Sequence, residues 1–491
     1  MKKLVIMAMC LATGAFYAQS NTSSVNQTGN TNNSTVTQIG LTNDSKVVSL
    51  GDFNGSIVNQ IGDLNRSNVI QHGDSNASDV NSLGRGNGSQ VNQAGDGNDA
   101  DVDQNGNWNT SRVNQGLVNS GGTISRIGNR NEATVNQDGT DNGSVVNQRS
   151  ATSGQESNDN DAFVNQVGDD NVSGISQDGD FNMADTNQQG NMNDSSVNQI
   201  GDSNDSDVDQ MGDSNIARTY QGGNGNNSDI TSDGNGNFAD TAQQGTLNTS
   251  DVDQDGDGNF SEVDQQGNIN YSYVGQIGDD NTSNVFQIGD GNFAHAEQNG
   301  MNNSSDVNST GNGNQTITLQ GYFAGGNDHV STIDQVGDSN YTFVGQDGTA
   351  NTSDVDQTGD NNYSWGVQIG LTNMTTVDQM GDRNSSTVDQ FGDTNSSSVY
   401  QWGDDNVSNV DQDGDNNSSF VWQWGNSNDS KVTQDGMGNM SDVLQLGTGN
   451  MSDVLQQGNS NYSFVGQGGS THVSDVDQIG NGNISIVSQN D

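Results

Sequence analysis

The chain is 491 residues long, carries a formal charge of −51 and is only 27% hydrophobic. That combination excludes a large apolar core and makes nucleic acid or an anionic membrane surface a poor partner. Such a composition usually marks disorder, yet the chain contains no proline at all. Average usage is about 5%, and disordered chains are enriched in it. A chain that donates backbone N–H groups to β-ladders along its whole length has to avoid proline.

The first residues stand apart. In "MKKLVIMAMCLATGAFYAQ", Lys2 and Lys3 precede an apolar run from Leu4 to Phe16, and Ala18 follows. This pattern predicts a secretory signal peptide over 1–18. The apolar run is too short to cross a bilayer, so no membrane span is expected. Cys10, the only cysteine, lies in this segment, and Met9 before it is not the small residue of a lipoprotein signal. The mature chain therefore has no disulfide or thiol chemistry.

From there on the chain repeats every 11 residues in the form Q-x-G-x-x-N-x-S-x-V-x, as in "QIGDSNDSDVD" (199–209) and "QFGDTNSSSVY" (390–400). Block 1 (19–148) has 12 arms anchored from Gln27 to Gln148. "RSATSGQ" (149–155) then adds seven residues. Block 2 (156–320) has 15 arms from Gln166 to Gln320, and "GYFA" (321–324) adds four more residues. Block 3 (325–491) has 15 arms from Gln335 to Gln489, which makes 42 in all. Gln fills 37 of the 42 anchors, the exceptions being Ser49, Ser82, Arg126, Ser232 and Ser309. Asn fills 39 of the slots six residues earlier; Ser120, His329 and His472 take the others. A disordered chain has no reason to keep such columns in phase. The arm ending at Arg126 is degenerate but keeps the 11-residue phase, and nothing divides the blocks into independent domains.

Asn, Ser, Val and Gln fall at i, i+2, i+4 and i+6, which places them on one face of a strand. On a helix the same spacing scatters. The glycine between strands permits a positive φ in a tight corner. Representative ladder residues are Asn204, Ser206, Val208 and Gln210 with the corner Gly212; Asn270, Ser272, Val274 and Gln276; and Asn395, Ser397, Val399 and Gln401. Small Ser lets two sheets approach closely, and Val fills the remaining gap. A buried unpaired amide costs several kcal/mol, so Asn and Gln belong in this core only if repeats stack in register, each amide bonding the same amide above and below. The predicted fold is an all-β cross-β solenoid. Large outward residues recur at 22, as in Tyr400, Trp422 and Leu444, or Tyr341 and Tyr363. That favours two arms per rung over three, although Phe238 with Tyr271 and Phe391 with Trp424 recur at 33. Forty-two arms then make 21 rungs, about 100 Å tall.

No catalytic, cofactor-binding or metal-binding residues emerge. Asp follows the corner glycine in 17 arms, as at Asp63, Asp202, Asp213 and Asp393. Calcium needs several oxygens converging on one point, and the G-G-x-G-x-D repeat of calcium-binding solenoids is absent. These aspartates read as solvated corners whose mutual repulsion restrains assembly. Of the four histidines, His329 and His472 occupy Asn slots, while His72 and His295 are isolated. Triplets such as Asn32-Asn33-Ser34 arise from the repeat itself and are weak glycosylation signals.

The repeat resembles that of curlin, the subunit of bacterial curli fibres, S-x5-Q-x-G-x-x-N-x-A-x3-Q. "SDVDQMGDSNIARTYQ" (206–221) and "SEVDQQGNINYSYVGQ" (261–276) carry the likeness with a shortened first half. The resemblance implies a secreted functional amyloid that stacks end to end into fibres of the biofilm matrix and serves adhesion. Its implied partners are further copies of itself, an outer-membrane export pore, a chaperone and a nucleator subunit. The family's separate N-terminal secretion segment is not evident, because the first arm opens at Asn21. The alternative is a non-fibrillar or anchored β-solenoid that acts as an adhesin or fibre nucleator.

Overall fold

The computed structural model describes residues 20–118, 124–150, 156–321 and 326–490. The expected signal peptide with Cys10, residues 151–155 of the first insertion and 322–324 of the second lie outside them. All regular structure among the described residues is β. Each arm is one strand of about seven residues, and successive arms alternate between two parallel sheets that face each other.

The strand Asp205–Met211 shows why the sequence folds this way. Ser206, Val208 and Gln210 point inward and are buried, while Asp205, Asp207, Asp209 and Met211 point out. It pairs in register with Met183–Gln189 and Asn227–Asp233, so each residue meets those 22 positions away. Two arms per rung is therefore the arrangement. The outward aromatics stack at that spacing: Phe238 on Phe260 at 4.9 Å, Tyr341 on Tyr363 at 5.2 Å and Phe343 on Trp365 at 4.0 Å between ring centroids. Between the sheets runs a double column of valines, most of them fully buried.

The corners turn on two residues of positive φ. In Gly201-Asp202-Ser203-Asn204 these are Gly201 at +116° and Ser203 at +58°. A Cβ on Gly201 would lie 2.0 Å from the carbonyl oxygen of Gly223 in the next rung. Glycine is thus demanded here twice, by its φ and by the closeness of the stacked corners.

In three places the pairing offset exceeds 22. The strand Asp99–Asn107 pairs with Glu132–Thr140 at an offset of 33, and Thr110–Gln115 pairs with Gly143–Gln148 likewise. The chain leaves the stack after Gly116, forms a short antiparallel hairpin (Leu117–Val118 with Ile124–Asn129) and resumes at Gly128, which takes its place above Gly95. The expectation that the arm ending at Arg126 takes its turn in the stack is corrected. That arm is an excursion that lies against the strand Gly88–Ala94, where outward-facing Asn92 and Ala94 are buried. Its weak columns are the reason: Ser120 and Arg126 replace the Asn and Gln that would tie it to its neighbours. Further on, Glu132–Thr140 pairs with Asp161–Val167 at an offset of 29, and Ser304–Thr310 with Val330–Val336 at 26. Among the described residues forty-one arms thus stack, in about 20 rungs, 21 arms in one sheet and 20 in the other.

The last of these junctions, at the offset of 26, is also where the core is weakest. Ala296 and Thr318 take Val slots, Ser309 takes a Gln slot and His329 an Asn slot. The apolar core accordingly divides into one cluster ending at Val307 and another beginning at Ile333.

Candidate assembly interface

Each inward column has its own hydrogen-bonding scheme, and together they give the stack a polarity. Gln is the simplest. Gln401 Nε2 donates to Gln423 Oε1 in the following rung at 2.9 Å and to the carbonyl of Ser385, in the facing sheet, at 3.0 Å. Its own Oε1 accepts from Gln379 at 2.7 Å. Gln276 does the same with Gln298 at 2.9 Å and the Phe260 carbonyl at 2.9 Å. Both amide hydrogens are satisfied, one along the stack and one across it, so the burial cost of the amide is met. Gln210 accepts from Gln188 at 2.9 Å and donates to the Asp194 carbonyl at 3.1 Å, and its column is interrupted above by Ser232.

The Asn column works differently from the amide-on-amide ladder expected of it. The backbone N–H of Asn204 donates to Asn182 Oδ1 at 3.0 Å, and Asn204 Nδ2 donates to the Gly223 carbonyl at 2.8 Å. Asn270 repeats this with Asn248 at 3.0 Å and Gly289 at 2.8 Å, and Asn395 with Asn373 at 2.9 Å and Gly414 at 2.7 Å. Asn is short, so its amide reaches the corner backbone more readily than the next side chain. Direct amide pairs do occur, as from Asn204 to Asn182 at 3.1 Å. The column ties strand to corner through the corner glycine carbonyl, whereas Gln, one methylene longer and at the strand's other end, bonds along its own column and across to the facing strand.

Ser206, Ser272 and Ser397 are buried beside Val208, Val274 and Val399, and their hydroxyls find no hydrogen-bond partner. Gly212, at φ +104°, turns the next corner. The chosen residues are therefore equivalent positions in three separate arms, two in one sheet and one in the other; they do not gather in one pocket.

The corner aspartates are more than solvated turns. Asp202 Oδ1 accepts the backbone N–H of Asp180 at 2.9 Å, and Asp213 Oδ1 that of Asn191 at 2.8 Å. Asp63 and Asp393 take the N–H of Leu41 and Leu371 at 2.8 and 3.0 Å. The slot is a column of Asx acceptors, each capping the corner one rung earlier. The sequence held a signal for this: Asn191, Asn224 and Asn235 alternate with Asp in that slot, and Asn and Asp share only the Oδ1 acceptor.

Carboxylates also line the outer faces. Asp185, Asp207, Asp229 and Asp251 follow one another in one outward column, with Asp209 and Asp253 beside them. Burial, and then the neighbouring carboxylates Asp207 and Asp209, push the Asp185 carboxyl up to about 6. Burial with Asp209 and Asp229 does the same to Asp207. Among the described residues no group of three or more His, Cys, Asp or Glu side chains is arranged to hold a metal ion. Among the described residues no helix is long and apolar enough to cross a membrane.

These columns reach two open ends. At one lie the strands Thr22–Thr28, exposed throughout, and Asn33–Ile39; at the other, Val473–Ile479 and Ile484–Asn490. Every Gln-to-Gln bond of the ladder is donated toward the C-terminal end. The first rung therefore offers Gln38 Oε1, and the last offers the Gln489 amide, which donates only to Val473 across the stack at 2.9 Å. The Asn column runs the opposite way, so Asn483 Oδ1 is the open acceptor at the last rung and the Asn32 N–H the open donor at the first.

Five stretches of the chain match the curlin associated repeat: residues 234–267, 278–311, 326–359, 370–403 and 403–436. No curated protein gives a significant match. The stacked coils and the family together point to a structural, non-catalytic molecule. With its columns continuing through the blocks on either side of the matched stretches, the chain is a curlin-repeat protein.

Proposed function

We propose that the chain is a secreted structural subunit that assembles end to end into curli-like amyloid fibres of an extracellular, biofilm-forming and adhesive matrix. The observation that carries this reading is the complementarity of the two ends. One exposes acceptors where the other exposes donors, in the same columns and the same strand register. An unpaired parallel strand edge is a template for another strand, and here each docked copy renews the edge it covers. The leader at 1–18 supports export. The family likeness brings with it an outer-membrane pore, a chaperone and a nucleator as partners. The test is incubation of the purified chain from residue 19 onward. Fibrils with reflections at about 4.8 Å along the axis and about 10 Å across it are expected. A stable monodisperse monomer would sink the reading.

A further inference from the structure

The first and last arms of the stack, Thr22–Thr28 and Ile484–Asn490, lie in the same sheet. This follows from the excursion at 117–127, which turns an even number of arms into an odd one. A staircase of alternating arms that ends in one sheet must take its next step in the other. Resting on end-to-end assembly, we propose that each copy docks on the last with a half-turn about the fibre axis. Thr22–Thr28 of the next copy then pairs with Val473–Ile479, and Asn33–Ile39 with Ile484–Asn490.

Docking without the half-turn would put Thr22–Thr28 on Ile484–Asn490 and carry Asn33–Ile39 past the next step. One strand-wide slot, about 4.8 Å high, would then open in the second sheet above Val473–Ile479. The backbone N–H and C=O groups along that edge would be unpaired next to the inward-facing Val476, and unpaired buried backbone groups are avoided. The half-turn closes the slot and continues every column. Gln489 donates to Gln38 Oε1 of the next copy, and Gln478 to its Gln27. Asn483 Oδ1 receives the N–H of the next copy's Asn32, and the complete corner Gly480–Asn483 meets the complete corner Gly29–Asn32. The junction between chains falls in the corner that links Ile484–Asn490 of one copy to Thr22–Thr28 of the next.

The arrangement makes a second statement about the whole fibre. Each copy is about 100 Å tall. Any feature of one sheet, such as the aromatic group Tyr400, Trp402, Phe420, Trp422 and Trp424, therefore appears on alternate sides of the fibre, with a same-side repeat of about 200 Å.

The test uses the chain from residue 19, which holds no cysteine, and outward positions immediately before the ladder Gln. One double variant is T37C with S488C; the other is N26C with S488C. With the half-turn, residue 488 of one copy sits beside residue 37 of the next, within thiol cross-linking reach of adjacent strands, and residue 26 lies on the opposite face. Fibres treated with a short bifunctional thiol reagent should give a ladder of covalent multimers on a denaturing gel for the first variant and only monomer for the second. The reverse pattern, or no multimers from either variant in intact fibres, overturns the half-turn. A gold label at Thr358→Cys, exposed in the same sheet as Tyr400, should alternate sides in electron micrographs; labels along one side every ~100 Å overturn it too. Failure of all chains to form fibres would refute end-to-end assembly itself, and the half-turn with it.

Discussion

At the scale of single residues, the stack depends most on the corner glycine. At Gly201 a methyl group meets the Gly223 carbonyl oxygen, a backbone atom that cannot step aside. Gly201→Ala is expected to cost on the order of 3 kcal/mol and to raise amide exchange in the rungs around it, since in a repeat array the damage stays local. Exchange unchanged at those rungs would contradict this account of the corner. The Ser column should behave in the opposite way. The hydroxyls of Ser206, Ser272 and Ser397 are buried without partners, and Ala162, Ala184, Ala217 and Ala239 already occupy the same slot. Replacing Ser206, Ser272 and Ser397 together by Ala is expected to be neutral or to stabilise by about 1 kcal/mol per site. A clear fall in the denaturant midpoint would show that the hydroxyls are bonded after all. Such an inversion, in which the polar residue is the dispensable one, was not legible in the sequence, because Ser and Ala share its role of being small.

At the scale of the strand, the outward carboxylate column makes stability depend on pH. Asp185 and Asp207 titrate at about 6 in the folded stack, against 3.8 for the free carboxyl. Burial is the larger cause and the neighbouring aspartates the smaller. The groups facing them are other carboxylates, Asp161, Asp205, Asp209, Asp229, Asp251 and Asp253, several of them raised in the same direction. A raised folded pKa means that these groups favour the fold fully below pH 3.8 and lose that contribution as pH rises through about 6. Thermal stability and the rate of fibre growth should therefore rise as pH falls from 7 to 4.5, and added salt should speed growth at pH 7 by screening the same repulsion. Kinetics flat across that window would refute the role given to the column. His329 works in the opposite sense at one rung. Burial lowers its pKa, and its Nδ1 accepts the Asn351 N–H at 3.2 Å, which only the neutral ring can do.

At the scale of the molecule, the stack is a one-dimensional array in which each rung touches its neighbours and little else. The excursion at 117–127 stands outside that array. Its removal should leave Gln115 above Gln104's rung and below Gln137's, in the register the structure already has, where Gln115 Nε2 donates to Gln148 at 3.1 Å. Deletion of 117–127 is thus expected to preserve the fold and the 4.8 Å axial spacing. The cost is confined to the uncovering of Asn92 and Ala94 on the strand it lies against. Loss of cooperative folding would show that the hairpin is part of the stack.

The sequence by itself determined the strand, the corner and the two-arm rung. Those follow from periods of 2, 11 and 22, which are local and repeated dozens of times, so that each copy of the signal reinforces the others. Only the tertiary structure decided which arm leaves the stack, what the Asn side chains bond, and that the corner aspartates cap the preceding rung. Each of those outcomes is a contest between partners brought within about 3 Å by stacking: Asn amide against corner carbonyl, carboxylate against water, a defective arm against the intact one 33 residues away. The sequence names the contestants, but the distances that settle each contest exist only once the rungs are on top of one another.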